Sequence, residues 1–352
     1  MTVHQPRSVA RDEHSTGAGG LTARWRAELA GTGTRVALAD GADPRVVRAA
    51  SELAATGLTP CIVDRPDRVR AVARELDIRL PDSVEILDPA VLSDGPAGAA
   101  VAAATQRKGP EEVAGFLSDP LHLAVGSVAA GITDACVAGA TRTTTDVLRA
   151  SLRVVGTAEW CSSVSSCFIM ELADGRPLAF ADCAVIPEPD ADQLSEIALA
   201  TADTFSVLTG ETPKVAMLSF STLGSADHPS VDVVRQATAG ARIRRPDLAV
   251  DGELQFDAAV VESVARRKAP DSLIGGAATV LVFPNLAAGN IAYKITERLA
   301  GATGHGPILQ GLARPIHDLS RGCSASDVVG VALIAGLQST TTPRGATPVA
   351  LR

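Results

Sequence analysis

A chain of 352 residues is long enough for two domains of ordinary size. Apolar residues make up 46% and charged residues 20%, a balance that suits a soluble globular protein and excludes a disordered one. The net charge is −8 and lysine occurs only at Lys108, Lys214, Lys268 and Lys294, which argues against a nucleic-acid partner and leaves arginine and backbone amides to grip any anion.

The first 20 residues (MTVHQPRSVARDEHSTGAGG) carry acids and no apolar stretch, so they read as a frayed tail and not a signal peptide. Residues 340–352 read likewise as a flexible tail. Residues 35–39 (RVALA) form the first strand candidate. Asp43-Pro44 then supplies an N-cap and a proline at the first helical position. Val46, Val47, Ala50, Leu53 and Ala54 follow on one helical face, Gly57 stops the helix, and 60–63 is the next strand. The alternation returns with a strand over 134–137 and a helix over 144–154. Residues 164–172 and 178–182, parted by Asp174-Gly175, predict a hairpin that is out of step with simple alternation. Asp190 caps a helix with Leu194, Ile197, Ala198, Thr201, Phe205 and Leu208 on one side. Strands are expected over 215–220, 279–283 and 307–310, and a buried helix over 328–337. The run 272–293 is free of charge and long enough on paper to cross a bilayer. Gly275, Gly276, Pro284, Asn285 and Asn290 break it into strand, loop and helix start, so no membrane span is expected.

This pattern predicts an α/β fold of two three-layer domains with mostly parallel sheets and a cleft between them. The hairpin marks the change of domain. The first domain is expected over 1–155 plus 301–352 and the second over 156–300.

Several chemistries are missing from the sequence. No lysine follows a glycine, so there is no P-loop, and 301–306 (GATGHG) has the wrong spacing for a dinucleotide fingerprint. Neither G-x-S-x-G nor HExxH occurs. Cys61, Cys136, Cys161, Cys167, Cys183 and Cys323 contain no CxxC pair, which suits reduced cytosolic thiols better than disulfides or a zinc site. Asp251, Glu253 and Asp257 (DGELQFD) have two readings. They are divalent-metal ligands, or acids at a strand end, turn and helix start that face water.

One cluster stands out, 318–327 (DLSRGCSASD), just ahead of the apolar C-terminal helix. Ser324 and Asp327 have the spacing of a capping box, which alone accounts for the carboxylate. The other reading gathers Ser320, Arg321, Cys323 and Asp327 at a helix N-terminus. There, free amides, the positive dipole end and a guanidinium suit phosphate or a developing oxyanion. Weaker signals lie in Thr143-Thr144-Thr145-Asp146, with Arg149 on the helix it opens, and in Ser165-Ser166 of the hairpin. Others are 219–225 (SFSTLGS), where Ser221 and Thr222 follow a strand, and Asn290, Tyr293 and Lys294. Each alone is ordinary turn chemistry. Together they sketch an anion-binding cleft with few formal charges.

The sequence resembles the phosphate acetyltransferases (phosphotransacetylases), in the short form that lacks an extra N-terminal regulatory region. The matching segments, in family order, are ALADGADPRVVRAA, DACVAGATRTTTDVLRASL, SSVSSCFIMEL, ADCAVIPEP, AMLSFSTLGSA, DGELQFDAA, APDS, NLAAGNIAYKI, GPILQGL and DLSRGCSASD. They span about 35 to 338. Asp40 stands where a glutamate is common, Leu223 at a position often lysine, and Ser151 near a place often held by proline-alanine. None of these departures touches the Ser-Arg-Asp cluster.

The resemblance implies the reaction acetyl-CoA + phosphate ⇌ acetyl phosphate + CoA, by direct transfer in a ternary complex. Carried over residue by residue, Asp327 takes the CoA thiol proton, Ser320 hydrogen-bonds the oxyanion and Arg321 holds the phosphate. Arg107 and Arg149 associate with CoA or phosphate, and Cys323 lines the site without acting as a nucleophile. Thr144, Ser166, Ser221, Thr222, Tyr293 and Lys294 complete the expected CoA and phosphate surface. No metal and no cofactor is expected, since CoA is a substrate. The expected protein is a cytoplasmic homodimer of acetate metabolism, meeting acetyl-CoA or CoA and phosphate or acetyl phosphate. The implied architecture is similar to that of isocitrate and isopropylmalate dehydrogenases. A metal-dependent decarboxylating dehydrogenase would need the acids at 251, 253 and 257 on a metal, and would leave the Ser-Arg-Asp cluster unexplained. A butyryl- or propionyl-transferase also stays open, as does an idle structural relative, which would show an eroded site.

Overall fold

The computed structural model describes residues 20–341. Its first part runs through α1 (Leu21–Leu29), β1 (Arg35–Leu38), α2 (Pro44–Leu53), β2 (Thr59–Val63), α3 (Pro66–Glu75) and β3 (Glu85–Leu87). Four helices follow, α4 (Pro89–Asp94), α5 (Pro96–Thr105), α6 (Pro110–Ser118) and α7 (Pro120–Ala129), then β4 (Ala135–Ala138) and α8 (Thr144–Val154). The middle holds the hairpin β5 (Ser165–Glu171) and β6 (Pro177–Ala181), then α9 (Ala191–Thr209), β7 (Lys214–Leu218), α10 (Pro229–Arg244) and β8 (Ala249–Leu254). After α11 (Phe256–Val260), α12 (Glu262–Lys268), β9 (Val280–Val282) and α13 (Leu286–Leu299), the chain closes with β10 (Thr303–Gln310), β11 (Ile316–Asp318) and α14 (Ala325–Thr341). The expected tails, 1–20 and 340–352, fall almost wholly outside the described residues.

Local chemistry sets the helix starts. Helices α2 to α7 and α10 open on proline, whose fixed φ suits the first turn and whose missing N–H had no partner there anyway. Asp43, Asp88 and Asp119 stand just ahead of three of them and accept a first-turn N–H. Capping boxes open α8 (Thr143 with Asp146) and α9 (Asp190 with Gln193).

Two sheets result. The first has the order β11-β4-β1-β2-β3 and is parallel throughout. The second has the order β10-β5-β6-β9-β7-β8, parallel from β6 to β8, with β5 antiparallel to both of its neighbours. The expected hairpin is the β5–β6 pair. The return to the first sheet differs from the sequence expectation of 301. Strand β10 pairs with β5 at the edge of the second sheet, so the chain crosses back only at 311–315. The glycines of GATGHG hide the first half of β10, because they lack the side-chain alternation that marks a strand.

Helix α14 ties the halves together. Val328, Val329, Val331, Ala332, Leu333, Ile334, Ala335 and Leu337 are all buried, in one core with Trp25 and Leu29 of α1, Leu53 of α2 and Phe205 of α9. A helix so enclosed has little freedom to slide, so whatever its N-terminus carries is held in place. His317 adds a polar pin. Its Nδ1 accepts the Leu309 N–H at 3.1 Å, and its Nε2 meets Gln338 Oε1 at 2.6 Å. Burial lowers its pKa to about 4, so it bridges β10, β11 and α14 as a neutral ring.

Candidate active site

Three neighbouring strands of the first sheet, β11, β4 and β1, end along one carboxyl edge, where open parallel sheets form their ligand crevices. Each ends in chemistry. Past β1, Asp40 accepts the N–H groups of Gly139 and Ala140 at 2.9 Å each and the Thr141 hydroxyl, tying the loop after β4 in place. Past β4, that loop leads to Thr144 at the start of α8. β11 ends at Asp318, buried, with one carboxylate oxygen accepting the Thr144 hydroxyl and the other without a hydrogen-bond partner among the described residues. Burial pushes the Asp318 carboxyl up to about 6, against the opposing effect of Thr144. Gly139 is forced here. Its φ is +103°, and a Cβ would lie 2.2 Å from Asp318 Oδ1.

Two residues on, Ser320 and Arg321 are exposed on the loop to α14, and the Arg321 guanidinium has no partner among the described residues. Ser320 Oγ accepts the Gly322 N–H at 3.2 Å. Asp327, also exposed, lies in the first turn of α14 and accepts the Ser324 N–H at 2.8 Å, while its own N–H donates to Ser324 Oγ at 3.2 Å. The capping box is therefore present. It occupies Oδ2 and leaves Oδ1 open, so cap and catalytic base are compatible roles. Asp327 borders a hollow of about 230 Å³, together with Arg26, Glu52, His305, Ser326 and Ile334. That hollow lies where the last helix of the first sheet meets the edge strand of the second.

Cys323 is buried, and burial raises its thiol pKa against the pull of Arg45, so it is held as a thiol and not as a nucleophilic thiolate. Arg107, just past α5, and Arg149, on α8, are exposed and make no hydrogen bond or ion pair among the described residues, and Arg149 acts electrostatically on Asp146.

Other expected residues are engaged by neighbouring groups of the second sheet and its helices. Ser166 is fully buried, its hydroxyl donated to Asp182 and accepting the Cys183 N–H. Ser221 donates to Glu253 at 2.8 Å and accepts the Ala226 N–H at 3.0 Å, while Thr222 accepts the Gln255 N–H at 3.0 Å. These hydroxyls fold loops of the second sheet. Tyr293 stacks on Phe168 at 4.2 Å, and Lys294 reaches Asn290 at 2.5 Å from the same helix, α13.

The three acids of the metal reading are each engaged by a cation. Asp251 pairs with Arg242 at 2.6 Å, Glu253 with Arg235 at 3.0 Å and Asp257 with Lys268 at 2.9 Å. Burial would raise the Glu253 carboxyl, and Arg235 with the Gly224 N–H lowers it below its usual value. Asp257 is lowered chiefly by Lys268.

The family described as phosphate acetyl/butaryl transferase matches residues 22–336. The chain belongs to that family. Among phosphate acetyltransferases, the one from Acetivibrio thermocellus is 41% identical over 310 residues, spanning 86% of this chain and 93% of its own, so the match is to the short form. A phosphotransacetylase from Streptococcus pyogenes superposes with a TM-score of 0.87 at 39% identity, over 93% of this chain and all of that one. A 4-hydroxythreonine-4-phosphate dehydrogenase from Burkholderia phymatum shares the fold alone, with a TM-score of 0.51 at 14% identity over 88% of this chain and 99% of that one. The dehydrogenase-like architecture is thus common to the transferase family and to enzymes of different chemistry.

Two residues at this edge had no role in the sequence reading. Asp318 and Arg45 both lie within matched segments, but their contacts are made across long stretches of chain. The one available signal was position, since Asp318 ends a strand of the parallel sheet and Arg45 lies on the helix that follows another.

Proposed function

We propose that this protein catalyses reversible acetyl transfer between CoA and inorganic phosphate. The observation that carries the reading is the carboxyl edge of the first sheet. There, Ser320 and Arg321, whose guanidinium is unpaired among the described residues, sit on a short loop that runs directly into the α14 turn bearing Asp327. In the direction that consumes acetyl phosphate and forms acetyl-CoA, Asp327 takes the proton from the CoA thiol and the sulfur attacks the carbonyl carbon of acetyl phosphate. The Ser320 hydroxyl donates to the resulting oxyanion. The carbon–oxygen bond to the phosphoryl group then breaks, and phosphate leaves in the grip of Arg321. Arg107 and Arg149 are suited to the phosphates of CoA. No acyl-enzyme is formed, and no cofactor enters the scheme.

Acetyl is favoured over propionyl or butyryl because the relatives at about 40% identity are acetyltransferases. The deciding experiment measures phosphate-dependent consumption of acetyl-, propionyl- and butyryl-CoA by purified protein. Acetyl-CoA is expected to give the highest kcat/KM. Activity that ignores phosphate would overturn the reading, and preference for butyryl-CoA would overturn the acyl assignment.

The working unit proposed is a homodimer. Ile291, Ile295 and Leu299 stand four residues apart on one face of α13 and are 57%, 52% and 82% exposed, an apolar stripe of the kind covered by a second copy. Light scattering is expected to give twice the chain mass for the wild type and the chain mass for Ile295→Asp; a monomeric wild type removes the proposal. The six cysteines, none in a disulfide, suit a reducing cytoplasm. Recovery of the protein outside the cytosolic fraction would overturn that placement.

A further inference from the structure

We infer that Arg45 is a positioning residue for the transfer reaction, clamping the Ser320–Arg321 loop to the loop that precedes α8. The guanidinium has five N–H groups, and each has an acceptor. Nε donates to Asp43 Oδ1 at 2.9 Å and Nη2 to Asp43 Oδ2 at 2.7 Å, a bidentate pair that fixes the plane of the fork. The second Nη2 hydrogen reaches the carbonyl of Ala140 at 2.7 Å. Nη1 reaches the carbonyls of Arg321 at 2.7 Å and Cys323 at 3.0 Å. Asp43 is itself anchored, its N–H donating to the carbonyl of Asp40 at 2.9 Å. One side chain therefore joins the ends of β1, β4 and β11.

The consequence is specific to function. Arg45 holds the main chain of residues 321 and 323 while the Ser320 and Arg321 side chains stay free. It thus fixes where a phosphate meets Arg321 without competing for that phosphate. Lysine cannot replace it, because a single ammonium has three donors and no planar fork to meet Asp43 and three carbonyls at once. The cost should fall on phosphate and on turnover, leaving the CoA end of the site intact.

The inference rests on the acetyl-transfer reading, and the test separates the two. Arg45→Lys and Arg45→Ala are compared with the wild type. Each is expected to lower kcat about 10-fold or more and raise KM for acetyl phosphate about 10-fold, with KM for CoA within 2-fold. Loss of folded protein would instead lower the apparent kcat and move neither KM. Added guanidinium ion should restore part of the Arg45→Ala rate and none of the Arg45→Lys rate. If Arg45→Ala does not fold, Arg45→Lys decides, and wild-type kcat and KM in that variant overturn the inference. A second readout does not need activity. Trypsin should cut the Arg321–Gly322 bond about 10-fold faster in Arg45→Ala, read by mass spectrometry. Unchanged cleavage overturns the clamp. A wild type with no phosphate-dependent activity but with faster cleavage in the variant overturns the functional reading and leaves the clamp standing.

Discussion

Asp327→Asn is expected to lower kcat by about 1,000-fold while KM for CoA stays within about 3-fold, as for loss of a general base. The substitution separates the observed cap from the proposed general-base role. The asparagine oxygen can still accept the Ser324 N–H that Asp327 accepts at 2.8 Å, so the cap and the start of α14 survive. What disappears is the ability to take a proton. If capping were the only role, Asp327→Asn would be nearly silent, and Ser324→Ala, which breaks the box from its other side, would do more damage. The expected order is the reverse. Ser324→Ala should cost about 1 kcal/mol of stability and little turnover.

The size of the effect follows from the proton balance. An ordinary thiol at about 8.5 giving its proton to an ordinary carboxylate at about 3.9 is uphill by roughly 6 kcal/mol. Attack is therefore feasible only if the transfer is coupled to sulfur–carbon bond formation and the developing oxyanion is met by donors already in place. Asp327 sits on a helix whose next residues are buried in the shared core, which gives it a fixed direction. Steady-state rates with acetyl phosphate and CoA decide the matter. Normal kcat with a raised KM for CoA would remove Asp327 from the chemistry.

How much of this was legible in the sequence depended on how local each signal was. Helices α2, α8 and α9 were readable because their caps lie next to their apolar faces in the chain. Helix α5 was not, since AGAAVAAAT has no polar face to set a period. Residues 320, 321 and 327 could be singled out together because they fall within one short segment. Arg45 was invisible for the opposite reason: its carbonyl partners at 321 and 323 lie over 270 residues away. Ser166 and Ser221 were misplaced on the ligand surface for a related reason. A hydroxyl near a strand end looks the same whether it faces a ligand or a buried carboxylate, and here Asp182 and Glu253 claim them.

Replacing Arg321 is expected to give the second large loss, and of a different kind. Arg321→Gln should lower kcat/KM for acetyl phosphate by about 100- to 1,000-fold, with KM for CoA little changed. Its guanidinium is exposed and unpaired among the described residues while its carbonyl is tied down by Arg45, so the charge is available and its base is fixed. A planar fork can hold two phosphate oxygens at once, whereas an ammonium meets phosphate as a point charge. Arg321→Lys should therefore recover only part of the loss, mostly in KM. Ser320→Ala offers the contrast. Removing an oxyanion donor lowers kcat by about 100-fold and leaves both KM values alone, because the oxyanion exists only in the transition state. The two substitutions thus carry different signatures, one read on the phosphate side of the kinetics and one in turnover alone. Arg321→Gln with an unchanged KM for acetyl phosphate and an unchanged rate would take phosphate away from Arg321.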